Sequence, residues 1–158
     1  MPHSWKGSIA GLAGSLILSA LFLLFQTSSV FVELDVITLI DRLGSIGRAG
    51  AWADHFIVGV LLWGPIFAGF DATTSERPRW QKGVMFSIFA WLAMMLIFMP
   101  VVGAGLFGLR SGFVVPVGML ILHLIYGAVL GTVFQILDER FPTKPLLPGE
   151  QHPLRGLQ

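Results

Sequence analysis

The chain has 158 residues, 54% of them hydrophobic and only 12% charged, with a net charge of +1. An ordinary soluble domain carries about 25% charged residues and leaves roughly a third of its unfolded-state surface exposed at this size, so this much apolar surface calls for a bilayer as its solvent. The near-neutral charge, without a Lys or Arg run, argues against nucleic-acid binding, and the absence of cysteine excludes disulfides, thiolate nucleophiles, Cys-ligated zinc and iron–sulfur clusters.

The first element is the 19-residue apolar run Gly7–Phe25, with one Lys before it and polar "QTSS" after it. It is longer than a signal-peptide core and lacks a small-x-small cleavage site behind it, so it reads as a retained first span. Gly7, Gly11, Ser15 and Ser19 recur every four residues, a small-residue stripe of the kind that lets membrane helices approach closely. The following stretch, "TSSVFVELDVITLIDRLGSIGRAGAW", is too charged to span. Val30, Leu34, Ile37 and Ile40 recur at helical spacing, which predicts a short interfacial helix, then a turn punctuated by Gly44, Gly47 and Gly50.

The second span, Phe56–Phe70, has only 15 residues. It reaches a crossing length if it starts near Trp52 and holds Asp54 and His55 at the interface. After the polar loop "DATTSERPRWQK", the third span runs from Gly83 to Leu109, 27 residues without a charge. Pro100 and "GAGLFG" (including Gly105 and Gly108) are expected to end its regular helix early. The fourth is Phe113–Leu137, with Pro116 in its first turn, where a missing N–H costs nothing, and Gly127 and Gly131 as a second small-residue stripe. From Asp138 the chain is a Pro-rich tail. The expectation is an all-α fold: a four-helix transmembrane bundle over residues 1–137 with a short interfacial helix after the first span, then a cytoplasmic tail over 138–158.

Seven of the cations (Lys6, Arg77, Arg79, Lys82, Arg140, Lys144, Arg155) fall on the side of the termini, against three (Arg42, Arg48, Arg110) on the other. The positive-inside rule therefore puts both termini in the cytoplasm.

Two segments share a frame. "HFIVGVLLWG" begins at His55 and "HLIYGAVLGT" at His123; both have Ile two on, Gly four on and Leu seven on. The match is compatible with a ligand site, with a two-plus-two internal repeat or with one packing rule used twice. His123 lies about 15 Å into its span by helical rise, near the midplane, and Tyr126, Gly127 and Gly131 share its face. A histidine there serves either as polar glue between helices or as a functional group. The sharper reading is a b-type haem held by His55 and His123, with Gly59 and Gly127 clearing room for the porphyrin. Against it stands depth: with His55 at the membrane mouth, the two imidazoles are offset on the order of 10 Å. The objection weakens if the second helix starts as early as Gly47, which would bury Arg48 and Asp54.

Other chemistry finds less support. Asp54 and His55 with Glu33, Asp35 and Asp41 form a mildly acidic rim without an evident convergent ligand set. Met94, Met95 and Met99 have neither Cys nor an extended Met array beside them and read as core or lipid-facing methionine. Neither Ser87 nor Ser111 has a nucleophile motif around it. Pro65, the broken helix at Pro100–Gly108 and the buried His–Tyr pair leave an oligomeric channel or transporter open.

The stretches "ADHFIVGVLLWG", "MPVVGAGLFG" and "LHLIYGAVLG" resemble the small four-span bacterial membrane proteins of unknown function. The resemblance runs from Gly7 to Leu137 and rests on His55, Gly59, Pro100, Gly103, Gly105, Phe107, Gly108, His123, Tyr126 and Gly127. It implies an inner-membrane protein with no assigned reaction. The combined reading is a non-catalytic integral membrane protein, free-standing or an accessory subunit of a membrane complex. Its expected partners are the lipid bilayer and either further copies of itself or other membrane subunits. A haem or other redox cofactor at His55 and His123 is the first alternative.

Overall fold

The apolar runs of the sequence become five helices in a computed structural model that describes residues 4–25, 36–74 and 77–142. They are α1 (Ser4–Phe25), α2 (Val36–Gly44), α3 (Gly47–Thr73), α4 (Arg79–Val101) and α5 (Val114–Arg140). No strand occurs among the described residues. All but α2 are long and apolar enough to cross a membrane. α3 and α5, with 27 residues each, extend about 40 Å against about 30 Å of hydrocarbon. Leu61, Phe89, Ile97 and Phe113 are more than half exposed on the outside of the bundle, the surface of a multi-pass membrane protein turned toward lipid.

The expected second span is corrected at its start. α3 begins at Gly47, not near Trp52. The turn that the glycines suggested is confined to Ser45 and Ile46: Ser45 (φ 50°) and Gly47 (φ 75°) turn the corner from α2, and the Ser45 N–H donates to the Asp41 carbonyl at 2.7 Å. Gly50 is absorbed into the first turn of the helix. Arg48 stays exposed on this extension, so the buried cation that argued against an early start does not arise. Of the predicted interfacial helix, Ile37 is buried and Ile40 packs against the core; Val30, Leu34, Glu33 and Asp35 lie outside the described residues, as does the tail from Thr143.

Lipid tails are as apolar as the helices, so what associates the spans is close backbone contact. α1 meets α3 along Gly7, Gly11 and Ser15. A Cβ on Gly7 would strike the Gly64 carbonyl, one on Gly11 the Gly59 carbonyl, and one on Gly59 the Ser15 hydroxyl. α4 meets α5 by the same means: a Cβ on Gly127 would strike the Gly83 carbonyl and Ser87, and one on Gly131 the Arg79 carbonyl. Tyr126 then joins the two pairs, its ring lying on Gly14 of α1. Between them Phe67 packs its ring against Phe86 and Phe134, each 5.4 Å away, and Met95, Met99 and Met119 fill the remaining core.

Two helices widen in the same way. α3 takes a π-turn at Val58–Trp63 and α4 another at Met94–Phe98. The Gly64 N–H donates to the Gly59 carbonyl and the Met99 N–H to the Met94 carbonyl, five residues back in each case. Each turn ends two residues before a proline, Pro65 or Pro100. In an α-helix the proline ring would strike the carbonyl four residues earlier. That carbonyl belongs to Leu61 or Leu96, inside the π-turn, where the wider register makes room. α4 therefore continues past Pro100 to Val101. The loop beyond it turns at Gly105 (φ 77°) and Gly108 (φ 69°), with Gly108 packed against Val115 and Met99.

At the end where α1 starts and α5 finishes, a chain of ion pairs ties all four spans together. Lys6 of α1 pairs with Asp138 of α5 at 2.6 Å, and Arg79 of α4 with the same carboxylate at 2.6 Å. Arg79 also reaches Asp71 of α3 at 3.3 Å, and Asp71 pairs with Lys82 at 2.9 Å. Lys6 and Lys82 are both buried. No motif in the sequence marks this network; its signal was topological, because two helix starts and two helix ends must share one side.

Candidate functional site

At the opposite end the helices part around a half-open cavity of about 450 Å³. Its walls come from every helix: Leu18 and Phe22 of α1, Ile40 and Leu43 of α2, His55 and Trp63 of α3, Ala93 and Phe98 of α4, His123 and Tyr126 of α5. Both π-turns contribute, through Val58, Gly59, Leu62 and Trp63 on one helix and Met94, Ile97 and Phe98 on the other. α2 covers one side, so the short helix after the first span is part of the cavity wall.

The structure thus brings together the two histidines that sequence-based depth kept apart. His55 is the ninth residue of α3 and His123 the tenth of α5, and both helices begin at this end. One residue of difference corresponds to about 1.5 Å of rise, in place of the expected offset. The correction follows entirely from the earlier start of α3.

The two imidazoles are held differently. His123 Nδ1 lies 2.7 Å from the Met119 carbonyl, one turn back on its own helix. A carbonyl only accepts, so Nδ1 carries the proton, and in the uncharged ring Nε2 is left as a lone-pair acceptor. His55 sits among the rings of Phe22, Trp52 and Phe56, with centroids 6.0, 6.0 and 5.4 Å away. Its Nε2 is buried with no hydrogen-bond partner, an arrangement that costs on the order of 1–3 kcal/mol. Asp54, the neighbour of His55, also lines the cavity. The Tyr126 hydroxyl donates to the Gly59 carbonyl over a long 3.4 Å.

The remaining candidates divide by role. Gly7, Gly11, Gly127 and Gly131 lie in the helix seams; Ser15 and Gly59 lie both in a seam and on the cavity wall. Pro100 follows a π-turn, and Gly105 and Gly108 shape the loop after it. Gly59 and Gly127, which could have cleared room for a porphyrin, are instead taken up by contacts with Ser15 and with Gly83 and Ser87. Met95 and Met99 are core residues, and the Ser87 hydroxyl is spent on the Val84 carbonyl at 2.8 Å. Among the described residues no three His, Asp or Glu side chains converge as a metal site. Sequence reasoning missed Gly64 and Gly83, the partners across the seams, and the cavity residues Trp63, Met94 and Phe98. The last three had a usable signal in the prolines that follow them.

Neither a curated protein nor a solved structure matches the chain. A family model does match, over residues 1–145. Four membrane-length helices and a matched region that reaches past the end of α5 agree on one assignment: the chain belongs to the family of unknown function DUF6789.

Proposed function

We propose that this protein is a non-catalytic, multi-pass protein of the bacterial inner membrane that holds a small lipophilic molecule in the cavity between α1, α3, α4 and α5, free-standing or as an accessory subunit of a membrane complex. The observation that carries this reading is the cavity wall itself. It is mostly apolar and aromatic, with Ser15, Asp54, His55, His123 and Tyr126 as its few polar side chains beside the Trp63 indole. Small-molecule sites have this composition and volumes of about 300–1,000 Å³. Two π-turns bordering one cavity support the reading, because such turns concentrate at functional sites. Cytoplasmic termini are supported by the clustering of Lys6, Arg79 and Lys82 at the end where α1 starts and α5 finishes. The test is equilibrium binding of an apolar fluorophore to the protein in lipid nanodiscs: the reading expects saturation at one site per chain, and purely linear partitioning would contradict it.

A b-type haem between His55 and His123 is the second reading, favoured by their shared cavity. The buried His55 Nε2 weighs against it, since an axial nitrogen must present its lone pair to open space. An absorption spectrum after haem is supplied decides the matter. A Soret band lost in both His55→Ala and His123→Ala would replace the first reading with this one.

A further inference from the structure

We propose that the cavity selects a lipophilic molecule by a hydroxyl on its polar end, of the phenol or quinol class, with His123 Nε2 accepting the hydroxyl proton; the proposal rests on the cavity being a binding site. Three observations point to a donor on the ligand. The His123 proton is committed to the Met119 carbonyl, so the nitrogen left over accepts. The Tyr126 proton is committed to the Gly59 carbonyl. The side chain of Asp54, also on the wall, offers further carboxyl oxygens as acceptors. A ligand with only carbonyl or ether oxygens meets lone pairs at His123 and leaves that nitrogen unpaired in an apolar surround, which sites built around a hydrogen bond penalise strongly.

The aromatic part of the proposal comes from the rest of the wall. Phe22, Trp63, Phe98 and Tyr126 line the cavity together with the flexible Met94, and aromatic and thioether groups favour ring contacts. A phenolic oxygen gives its proton to one group and can accept from another, so a hydroxyl suits a wall that carries both acceptor and donor residue types, Trp63 among the latter.

A matched pair of probes tests this: 4-hexylphenol and its methyl ether, 4-hexylanisole, titrated calorimetrically into nanodiscs holding the wild type or His123→Leu. Comparing the phenol-to-ether ratio between the two proteins cancels the difference in bilayer partitioning. The expected result is a phenol preference larger in the wild type than in His123→Leu by roughly five- to tenfold, with ether binding retained in the variant. Equal ratios in the two proteins, with saturable binding of both probes, overturn the hydroxyl proposal and leave the cavity reading standing. Failure of both probes to bind the wild type overturns both. A His123→Asn variant, which keeps a polar group at the position, guards against loss of the Leu variant through misfolding and is held to the same comparison.

Discussion

The Tyr126 hydroxyl donates to the Gly59 carbonyl at 3.4 Å, and through that contact the two matching sequence frames touch. Gly59 is the glycine four residues after His55, and Tyr126 stands three residues after His123. The same carbonyl accepts the Gly64 N–H of the π-turn and is the surface on which Gly11 packs. One backbone oxygen therefore links the α1–α3 seam, the widened turn of α3 and the cavity wall of α5. Close packing and an open cavity are compatible here because the seam glycines hold the helices together on one side of each histidine.

Substitutions at glycines separate seam from surface. Gly127→Ala forces a Cβ against the Gly83 carbonyl and Ser87, whereas Gly69 has open space around it. The expected cost at Gly127 is about 1–3 kcal/mol from overpacking. Gly69→Ala should be neutral or stabilising by up to about 1 kcal/mol through helix propensity. Unfolding in detergent read by circular dichroism ranks the two, and equal effects would contradict the seam.

The ion chain at the other end makes a second prediction. Asp71 bonds Lys82 at 2.9 Å and Arg79 at 3.3 Å, with the Asp71 and Lys82 side chains only 10% and 9% exposed. Asp71→Asn leaves a buried ammonium without its counter-charge and should cost about 3 kcal/mol. Adding Lys82→Met to Asp71→Asn should restore part of that loss, which a double-mutant cycle measures directly. A loss under about 0.5 kcal/mol is what an exposed pair gives and would show the network to be solvated.

Much of this architecture is written in residue spacing. Gly7, Gly11 and Ser15 declare their stripe by a period of four, and the apolar runs declare the four spans. The start of α3 is not legible in that way. Gly47 and Gly50 look like turn punctuation and Arg48 and Asp54 look interfacial, yet a corner of two residues and an exposed Arg48 let the helix begin early. That shift of nine residues relative to Phe56 decides whether His55 and His123 can share a site. The ion chain was illegible for a different reason: Lys6, Asp71, Arg79, Lys82 and Asp138 come from four helices, and no local pattern says which of them meet.

The histidines should part company in stability measurements. His55→Phe replaces an unpartnered buried nitrogen by a ring matching its neighbours Phe22, Trp52 and Phe56. The change also deletes the ring's hydrogen bond with the Ser15 backbone, so the two effects oppose each other and thermal stability should shift by less than about 1 kcal/mol. His123→Phe deletes the bond to Met119 and should lower stability by about 1 kcal/mol. A loss at His55 as large as that at His123 would show that the Ser15 bond outweighs the unpaired Nε2.

The most direct test of the binding cavity is to fill it. Ala93 lines the cavity from α4, and Ala93→Trp places an indole in the space without touching the glycine seams. Calorimetric titration of 4-hexylphenol into nanodiscs holding either protein should give saturable binding at one site per chain in the wild type. The variant should bind at least roughly tenfold more weakly, because the volume a ligand needs is taken, with its thermal midpoint unchanged. Identical isotherms for the two proteins would contradict a ligand site between His55 and His123.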